Sequence, residues 1–341
     1  MATIREVAAK AGVSLSTVSI IINGQAQERK ISAATCKRVW DAVRELDYQP
    51  NIAARKLRQS GGSSSITIAL YWANDFRTTM LSRFLQGMQR QIVGRTDVEI
   101  VVMTYLSGKL GAQRSLLEGR RFHAAIIGGA SEQDMAFLEQ EQLNVPIVIY
   151  NRESAHYPCV TVDERKMGRM AAEKLLSLGH RNICMLSSPH TFPYMRERDE
   201  GVQAAFAEAG FPVYADRMLE TESSLAGGAA AARRVLDGMI PCTALYCSSD
   251  AIALGALRTL YDRGIKVPEQ MSVISIGNGE PSFAAYSVPA LTNVYLPMES
   301  MAERCLEIAL RLVGTHEESR EQIFLDTPLI TRESTGPAAT R

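Results

Sequence analysis

Residues 3–24 read TIREVAAKAGVSLSTVSIIING, and this stretch decides how the chain begins. Thr3 with Glu6 three positions later is a capping box: the hydroxyl accepts a first-turn amide and the glutamate reaches back. Behind it Ile4, Val7, Ala8 and Ala11 recur at helical spacing. Gly12 stops that helix where a left-handed residue is needed. Ser14 then caps a second helix, whose inward face is Leu15 or Thr17, Val18, and Ile21 or Ile22. Two short helices joined by Gly12-Val13-Ser14 predict a helix-turn-helix. Gly24 closes the second helix, and Ser32 caps a third that carries Val39, Val43 and Leu46.

The outer side of the second helix is short and polar, as entry into a major groove about 12 Å wide demands. Ser14, Ser16, Thr17 and Ser19 can bond phosphates or base edges there. Arg29 and Lys30, in the next loop, read either as extra phosphate contacts or as a solvated turn. Charge supports a nucleic-acid partner for the head alone. Residues 1–60 hold ten Lys/Arg and five Asp/Glu, which leaves 27 basic and 32 acidic residues of the 37 of each in the chain. A basic head on an acidic body is the pattern expected if only the head meets phosphate. At Tyr48-Gln49-Pro50-Asn51 the proline bars helix at the residue before it, and Asn51 can cap the segment after it. Residues 51–58 make only about two turns, too short to be helical without a partner. By themselves they read as the start of a linker, with 60–65 as a Gly/Ser-rich flexible joint.

From Ile66 the pattern changes to apolar strands alternating with amphipathic helices. Strands are expected at Ile66–Tyr71, Val98–Met103, Ala124–Ile127, Ile147–Tyr150, Ile183–Leu186, Ala244–Cys247 and Val273–Ile276. Near-continuous apolar strands with helices between them argue parallel sheets covered on both faces. The series restarts near Thr161–Arg165, which predicts two similar lobes with a cleft at the carboxyl ends of their strands. The expected division is 1–59 for the headpiece and 66–341 for the body. The first lobe takes 66–162 plus 291–320, and the second 163–290 plus 321–335. The six cysteines match no zinc pattern and read as reduced. The five histidines show no metal spacing, and nucleotide-loop, serine-hydrolase and zinc-protease motifs are absent, so no enzyme and no cofactor is expected. No apolar run approaches a membrane span and the start lacks a signal-peptide core, so a cytoplasmic protein without a membrane partner is expected.

TIREVAAKAGVSLSTVSIIING, together with ISAATCKRVWDAVRELDYQPNIAARKLR, resembles the headpiece of the LacI/GalR (lactose-repressor) family of bacterial regulators. VTVDERKMGRMAAEKLLSLGHRNICML, the Arg198–Gly201 segment, SSDAIALGALRTLYDRGIKVPEQMSVISI and the terminal RESTG resemble its effector domain, which is similar to periplasmic sugar-binding proteins. The resemblance implies a small all-α helix-turn-helix headpiece on a two-lobed α/β body. It implies a homodimer on a near-palindromic operator, controlled by a small-molecule effector. Leu15, Ser16 and Ile20 fall at base-reading positions, where Leu15 and Ile20 can pack on thymine methyls, with Ile20 lying partly against the headpiece body as the alternative. Thr3, Asn23 and Tyr48 join the DNA-facing set. Residues 51–58 become a hinge helix whose Asn51, Ala54 and Arg58 approach the minor groove and whose Leu57 is an apolar wedge.

In the cleft the resemblance places an aromatic at Phe76, polar groups at Asn151 and Arg152, and a ligand-anchoring arginine at Arg198. Tyr246 and Asp250 follow by position, the first as a ring to stack on, the second as a ligand acceptor or a helix cap. Where the family often has an acid clasping sugar hydroxyls, this chain has Gly277-Asn278, so Asn278 is the substitute. A sugar or sugar derivative is the leading effector class. Two other readings stay open from the residues: a regulator whose degenerate cleft has passed control to a protein partner, and a cytoplasmic solute-binding protein.

Overall fold

The computed structural model describes residues 3–22, 26–27, 29–46, 48, 65–75, 80–189, 192–315 and 319–339. Helix α1 (Ile4–Ala11) opens on the capping box, with the Glu6 amide donating to Thr3 Oγ1 at 3.3 Å and the Thr3 amide to Glu6 Oε2 at 2.6 Å. Gly12 ends it at φ 64° and ψ 40°, the left-handed conformation that glycine adopts without strain. Helices α2 (Leu15–Ile22) and α3 (Ala33–Glu45) complete the bundle, and Ser32 caps α3 through the Thr35 amide at 3.2 Å. Val7, Val18, Ile21 and Val39 are buried with Ala8, Ala11 and Ala42 at the crossings. Of the two inward options at the start of α2, Leu15 is the one that faces out. The proposed hinge helix 51–58 and most of the 60–65 joint lie outside the described residues.

The first lobe is built on β1 (Ile66–Ala73), α4 (Leu81–Ile92), β2 (Val98–Tyr105), α5 (Arg114–Glu118), β3 (Ala124–Gly128), α6 (Glu132–Gln140), β4 (Ile147–Tyr150) and β5 (Cys159–Val162). The second takes α7 (Glu164–Ser177), β6 (Ile183–Ser187), α8 (Pro193–Glu208), β7 (Met218–Glu220), α9 (Leu225–Asp237), β8 (Ala244–Cys247), α10 (Asp250–Asp262), β9 (Ser272–Gly277), α11 (Pro281–Ala285) and β10 (Thr292–Tyr295). The chain then returns through α12 (Met298–Thr315) and β11 (Gln322–Leu325) before β12 (Leu329–Ile330). One six-stranded sheet runs β11-β5-β4-β3-β1-β2, the other β12-β10-β9-β8-β6-β7. All pairs are parallel except β10 with β12. The chain thus passes between lobes three times, near 163, 296 and 327.

Two strands sit in the opposite lobe from the one the sequence pattern gave them. Thr292–Tyr295, expected with the first lobe, pairs with β9 of the second, Thr292 opposite Ile274. Gln322–Leu325, expected with the second, pairs with β5 of the first, Gln322 opposite Cys159. Both are only four residues long, with β11 at the edge of its sheet and β10 between β9 and β12, and their sheet is fixed by partners distant in sequence. Helix α12 does lie on the first lobe, against α4 and β3 to β5.

His180, in the turn after α7, shows how the C-terminal segment is held. Its Nε2 donates to the Gly336 carbonyl at 3.0 Å, while Nδ1 lies 2.8 Å from Thr243 Oγ1 and can accept from it as a neutral ring. Burial pushes the imidazole below its ordinary value of 6.5. Its folded value is depressed, so the stability it contributes is complete above 6.5 and is lost as pH falls through that folded value. Urea midpoints measured at pH 7.5 and at pH 5 are therefore expected to fall, and to fall less in His180→Gln.

Candidate functional site

On the headpiece, the start of α2 forms an outward-facing patch. Ser14 Oγ accepts from the Thr17 amide at 3.1 Å and lies 2.7 Å from Ser16 Oγ. Leu15 and Ser16 are exposed, Thr17, Ser19 and Ile20 half-buried, and Val18 and Ile21 form the inner face. Arg29 and Lys30 are exposed, and Lys30 has φ 52° in its turn. Tyr48 packs against the bundle core, and Thr3 is engaged in its cap. Asn23, Asn51, Ala54, Leu57 and Arg58 lie outside the described residues.

In the body, a cavity of about 40 Å³ lies between the lobes. By the same measure one water needs about 10–15 Å³, so the closed cleft has room for about three water-sized groups. The first lobe supplies Trp72 at the end of β1, Gly129 after β3, and Tyr150, Asn151 and Arg152 at the end of β4. The second supplies Ser188, Ser223, Ser248, Ser249 and Asn278 from strand ends, and Tyr194 and Arg198 from α8. The structure therefore gathers Asn151, Arg152, Arg198 and Asn278 at one place. Phe76 lies outside the described residues.

Arg198 is almost wholly buried and is held by Glu164 on α7. Its Nη2 donates to Glu164 Oε1 at 3.0 Å, its Nε donates to Glu164 Oε2, and Tyr194 lies under it with 5.1 Å to the ring centre. Burial works against the cation, but the Glu164 charge and hydrogen bonds outweigh it and raise the guanidinium above its ordinary value. Asn151, at φ 53°, donates from Nδ2 to the same Glu164 Oε1 at 3.0 Å. Glu164 thus ties the end of a first-lobe strand to a second-lobe helix, directly after the Asp163 cap. Arg152 reaches from β4 onto the rings of Tyr194 at 4.4 Å and Phe192 at 5.6 Å.

Two sequence assignments are corrected. Tyr246 does not line the cleft. It is fully buried inside the core on β8, where burial and the neighbouring Asp199 charge push its phenol well above the ordinary value. Asp250 is also withdrawn from the cavity. It accepts from Ser275 Oγ at 2.5 Å, Asn293 Nδ2 at 3.2 Å and the Gly279 amide at 3.2 Å, which makes it the fastener of the Gly277–Gly279 turn. Nor does it cap α10, a task performed by Ser249. Sequence reasoning missed Trp72, Tyr150, Tyr194, Glu164 and the serine wall. Trp72 and Tyr150 end apolar strands, and that position was the available signal.

The profile described as "Periplasmic binding protein-like domain" matches residues 160–335, and "Bacterial regulatory proteins, lacI family" matches residues 3–51. A LacI family transcription regulator from Clostridium acetobutylicum is 30% identical, covering 79% of this chain and 100% of its own, with a TM-score of 0.76. The chain belongs to the lacI family of bacterial regulatory proteins. The HTH-type transcriptional repressor PurR of Aliivibrio salmonicida is 28% identical over 98% of this chain and 99% of its own. The transcriptional regulator CelR in complex with cellobiose is 26% identical, covers 98% of this chain and 100% of its own, and has a TM-score of 0.68.

Gly277 itself sits in a space that its neighbours already fill. A Cβ at Gly277 would lie 2.7 Å from Asn293 Nδ2, so a larger residue here would require Asn293 to shift. Among the described residues no cluster of His, Cys, Asp or Glu could hold a metal ion, and no helix is long and apolar enough to cross a membrane.

Proposed function

We propose that the chain is a sequence-specific transcriptional repressor that binds near-palindromic operator DNA as a homodimer and is controlled by a small molecule in the interlobe cleft. It works in the cytoplasm and catalyses no reaction. The observation that carries the reading is one chain joining an outward-facing Leu15–Ser16 patch on a capped helix-turn-helix to a two-lobed body whose polar groups converge on one cleft. A sugar or sugar derivative is the leading effector class, in keeping with the cellobiose complex of CelR. Dimer formation is supported by the β2 edge, where Val101 and Val102 are exposed, and by Phe283, Tyr286 and Val288 on the second lobe. Ligand control is a population shift: a molecule that favours one lobe arrangement by a few kcal/mol changes how the paired headpieces meet DNA.

The test is retention of genomic fragments by the purified protein, and sequencing of those retained. One recurrent near-palindrome is the expected result, and retention without a shared motif would remove operator recognition from the reading. On the recovered operator, Ile20→Ala is expected to weaken binding about fivefold, near the low end of the cost of one base contact. It should leave the salt dependence unchanged, whereas Arg29→Ala should flatten the log K versus log salt slope by about one unit.

The small free volume favours one further reading, in which the cleft no longer takes a ligand and a protein partner controls DNA binding. Thermal unfolding with candidate small molecules separates the two.

A further inference from the structure

The uncharged part of the cleft wall has a hydrogen-bond polarity, set by which of its atoms are already bonded. Asn278 is 8% exposed and lines the cavity. Its Oδ1 accepts from the Asp250 amide at 3.4 Å. A backbone N–H can only donate, so the oxygen end of the side chain is the one turned to Asp250, and Nδ2 is the end left over. That Nδ2 makes no hydrogen bond among the described residues. The donor is also held in place. The Gly279 amide donates to Asp250 Oδ2 at 3.2 Å, and Arg83 Nη1 donates to the Gly279 carbonyl at 3.0 Å. The turn that bears Asn278 is thus fastened from both lobes before any ligand arrives, which lowers the cost of binding.

Ser249, one residue before Asp250, has the same sign. Its Oγ accepts from the Ile252 amide at 3.3 Å and from Ser223 Oγ at 3.2 Å, which uses both lone pairs and leaves only its hydrogen to give. On the first-lobe wall Trp72 is 2% exposed, and its Nε1–H, a group that can only donate, has no partner among the described residues. Ser223, having given its hydrogen to Ser249, is left to accept. Asn278, Ser249 and Trp72 therefore ask for lone pairs, and Ser223 alone of the four can receive a hydrogen. A polyol carries a hydrogen on every hydroxyl oxygen. Set against these groups it would bury hydrogens that find no acceptor, which weakens binding by about tenfold or more. A carbonyl oxygen brings lone pairs and no hydrogen.

We propose that Asn278 determines which effectors the cleft accepts, by donating from Nδ2 to an uncharged carbonyl oxygen, that of an acetamido sugar or of an oxo-pyrimidine. This rests on the reading of the cleft as an effector site and narrows its ligand class. The cavity of about 40 Å³ holds the carbonyl end with the lobes closed, and the remainder of a larger ligand requires them to part.

The experiment is thermal unfolding and calorimetry on the full chain at pH 7.5 with matched pairs: N-acetylglucosamine and glucose, N,N′-diacetylchitobiose and cellobiose, pyrimidin-4-one and 4-aminopyrimidine. At least one carbonyl member is expected to raise the melting temperature and to bind about tenfold or more tighter than its partner. The pair that responds separates an acetamido sugar from an oxo-pyrimidine. Asn278→Asp, which puts an acceptor where Nδ2 was, should reverse that preference, and Asn278→Ala should remove it without reversal. The ligand-free melting temperature of each variant shows whether it is folded, and the comparison within each pair on the wild type needs neither. Tighter binding of glucose, cellobiose or 4-aminopyrimidine than of its partner would overturn the carbonyl assignment and leave small-molecule control standing. A carbonyl preference that both variants retain would overturn the role of Asn278. No response to any probe would overturn both and point to the protein-partner reading.

Discussion

Replacing Arg83 by methionine will lower the unfolding free energy of the body by about 3–5 kcal/mol, because it strands a buried carboxylate. Arg83 rises from α4 of the first lobe and is 1% exposed. Its Nε and Nη2 donate to the two oxygens of Glu299, each at 2.7 Å, Nη2 also donates to the Leu296 carbonyl at 2.9 Å, and Nη1 donates to the Gly279 carbonyl at 3.0 Å. The hydroxyl of Tyr295 adds a donor to Glu299 Oε2 at 2.8 Å. One side chain therefore fastens a first-lobe helix to the second crossover and to the turn that bears Asn278.

The pH dependence separates this loss from simple loss of packing. Burial alone would raise the Glu299 carboxyl, but hydrogen bonds from Arg83 and Tyr295, with the Arg83 charge, leave it below its ordinary 4.5. Its contribution is therefore complete above pH 4.5 and is lost as pH falls through the lowered folded value. In Arg83→Met the sign reverses, since an unpaired buried carboxyl is easier to protonate. The gap between wild type and Arg83→Met in urea melts should be widest near pH 7 and narrow toward pH 4. Arg83→Met with Glu299→Leu should recover much of the loss, because replacing a whole buried pair by apolar groups is often close to neutral. An equal gap at both pH values would show that the pair contributes packing and not charge.

The features legible in the sequence are those decided within a few residues. Thr3 with Glu6, Gly12 and Ser32 set helix ends through local hydrogen bonds, and they appear where the sequence put them. The central strands announced themselves because a strand buried on both faces is apolar throughout. That same property hid their direction: Ala244, Leu245, Tyr246 and Cys247 are all buried, so no alternation reveals that Tyr246 lies inside and not in the cleft. The sheet membership of Thr292–Tyr295 and Gln322–Leu325 is not legible locally, because it is fixed by partners far along the chain. Glu164 was overlooked for a related reason. Beside the Asp163 cap it looks like one more first-turn acid, and only the close crossing of α7 and α8 brings Arg198 onto it.

That crossing makes Gly168→Ala the second large expected effect. A Cβ at Gly168 would lie 1.8 Å from the Arg198 carbonyl oxygen, and one at Gly201 would lie 2.1 Å from that of Arg165. Neither obstacle is a flexible side chain, so the two helices must move apart and lose contact along their shared face. A cost of about 3 kcal/mol is expected, at the upper end for overpacking because backbone must yield. Gly314 supplies the opposite sign within the same protein. It lies in the last turn of α12, is exposed, and has open space where a Cβ would go, so Gly314→Ala should stabilise slightly, by less than the roughly 0.5–1 kcal/mol of a helix interior. Denaturant midpoints of the two variants test the pair together, since an account based on glycine's flexibility predicts the same direction for both. The position of the clash also links stability to the site. The atom that Gly168 accommodates belongs to Arg198, and Glu164 lies one turn before Gly168 on α7. A displaced α8 must therefore pull the guanidinium from its carboxylate, and Gly168→Ala should weaken effector binding even under conditions in which the protein remains folded.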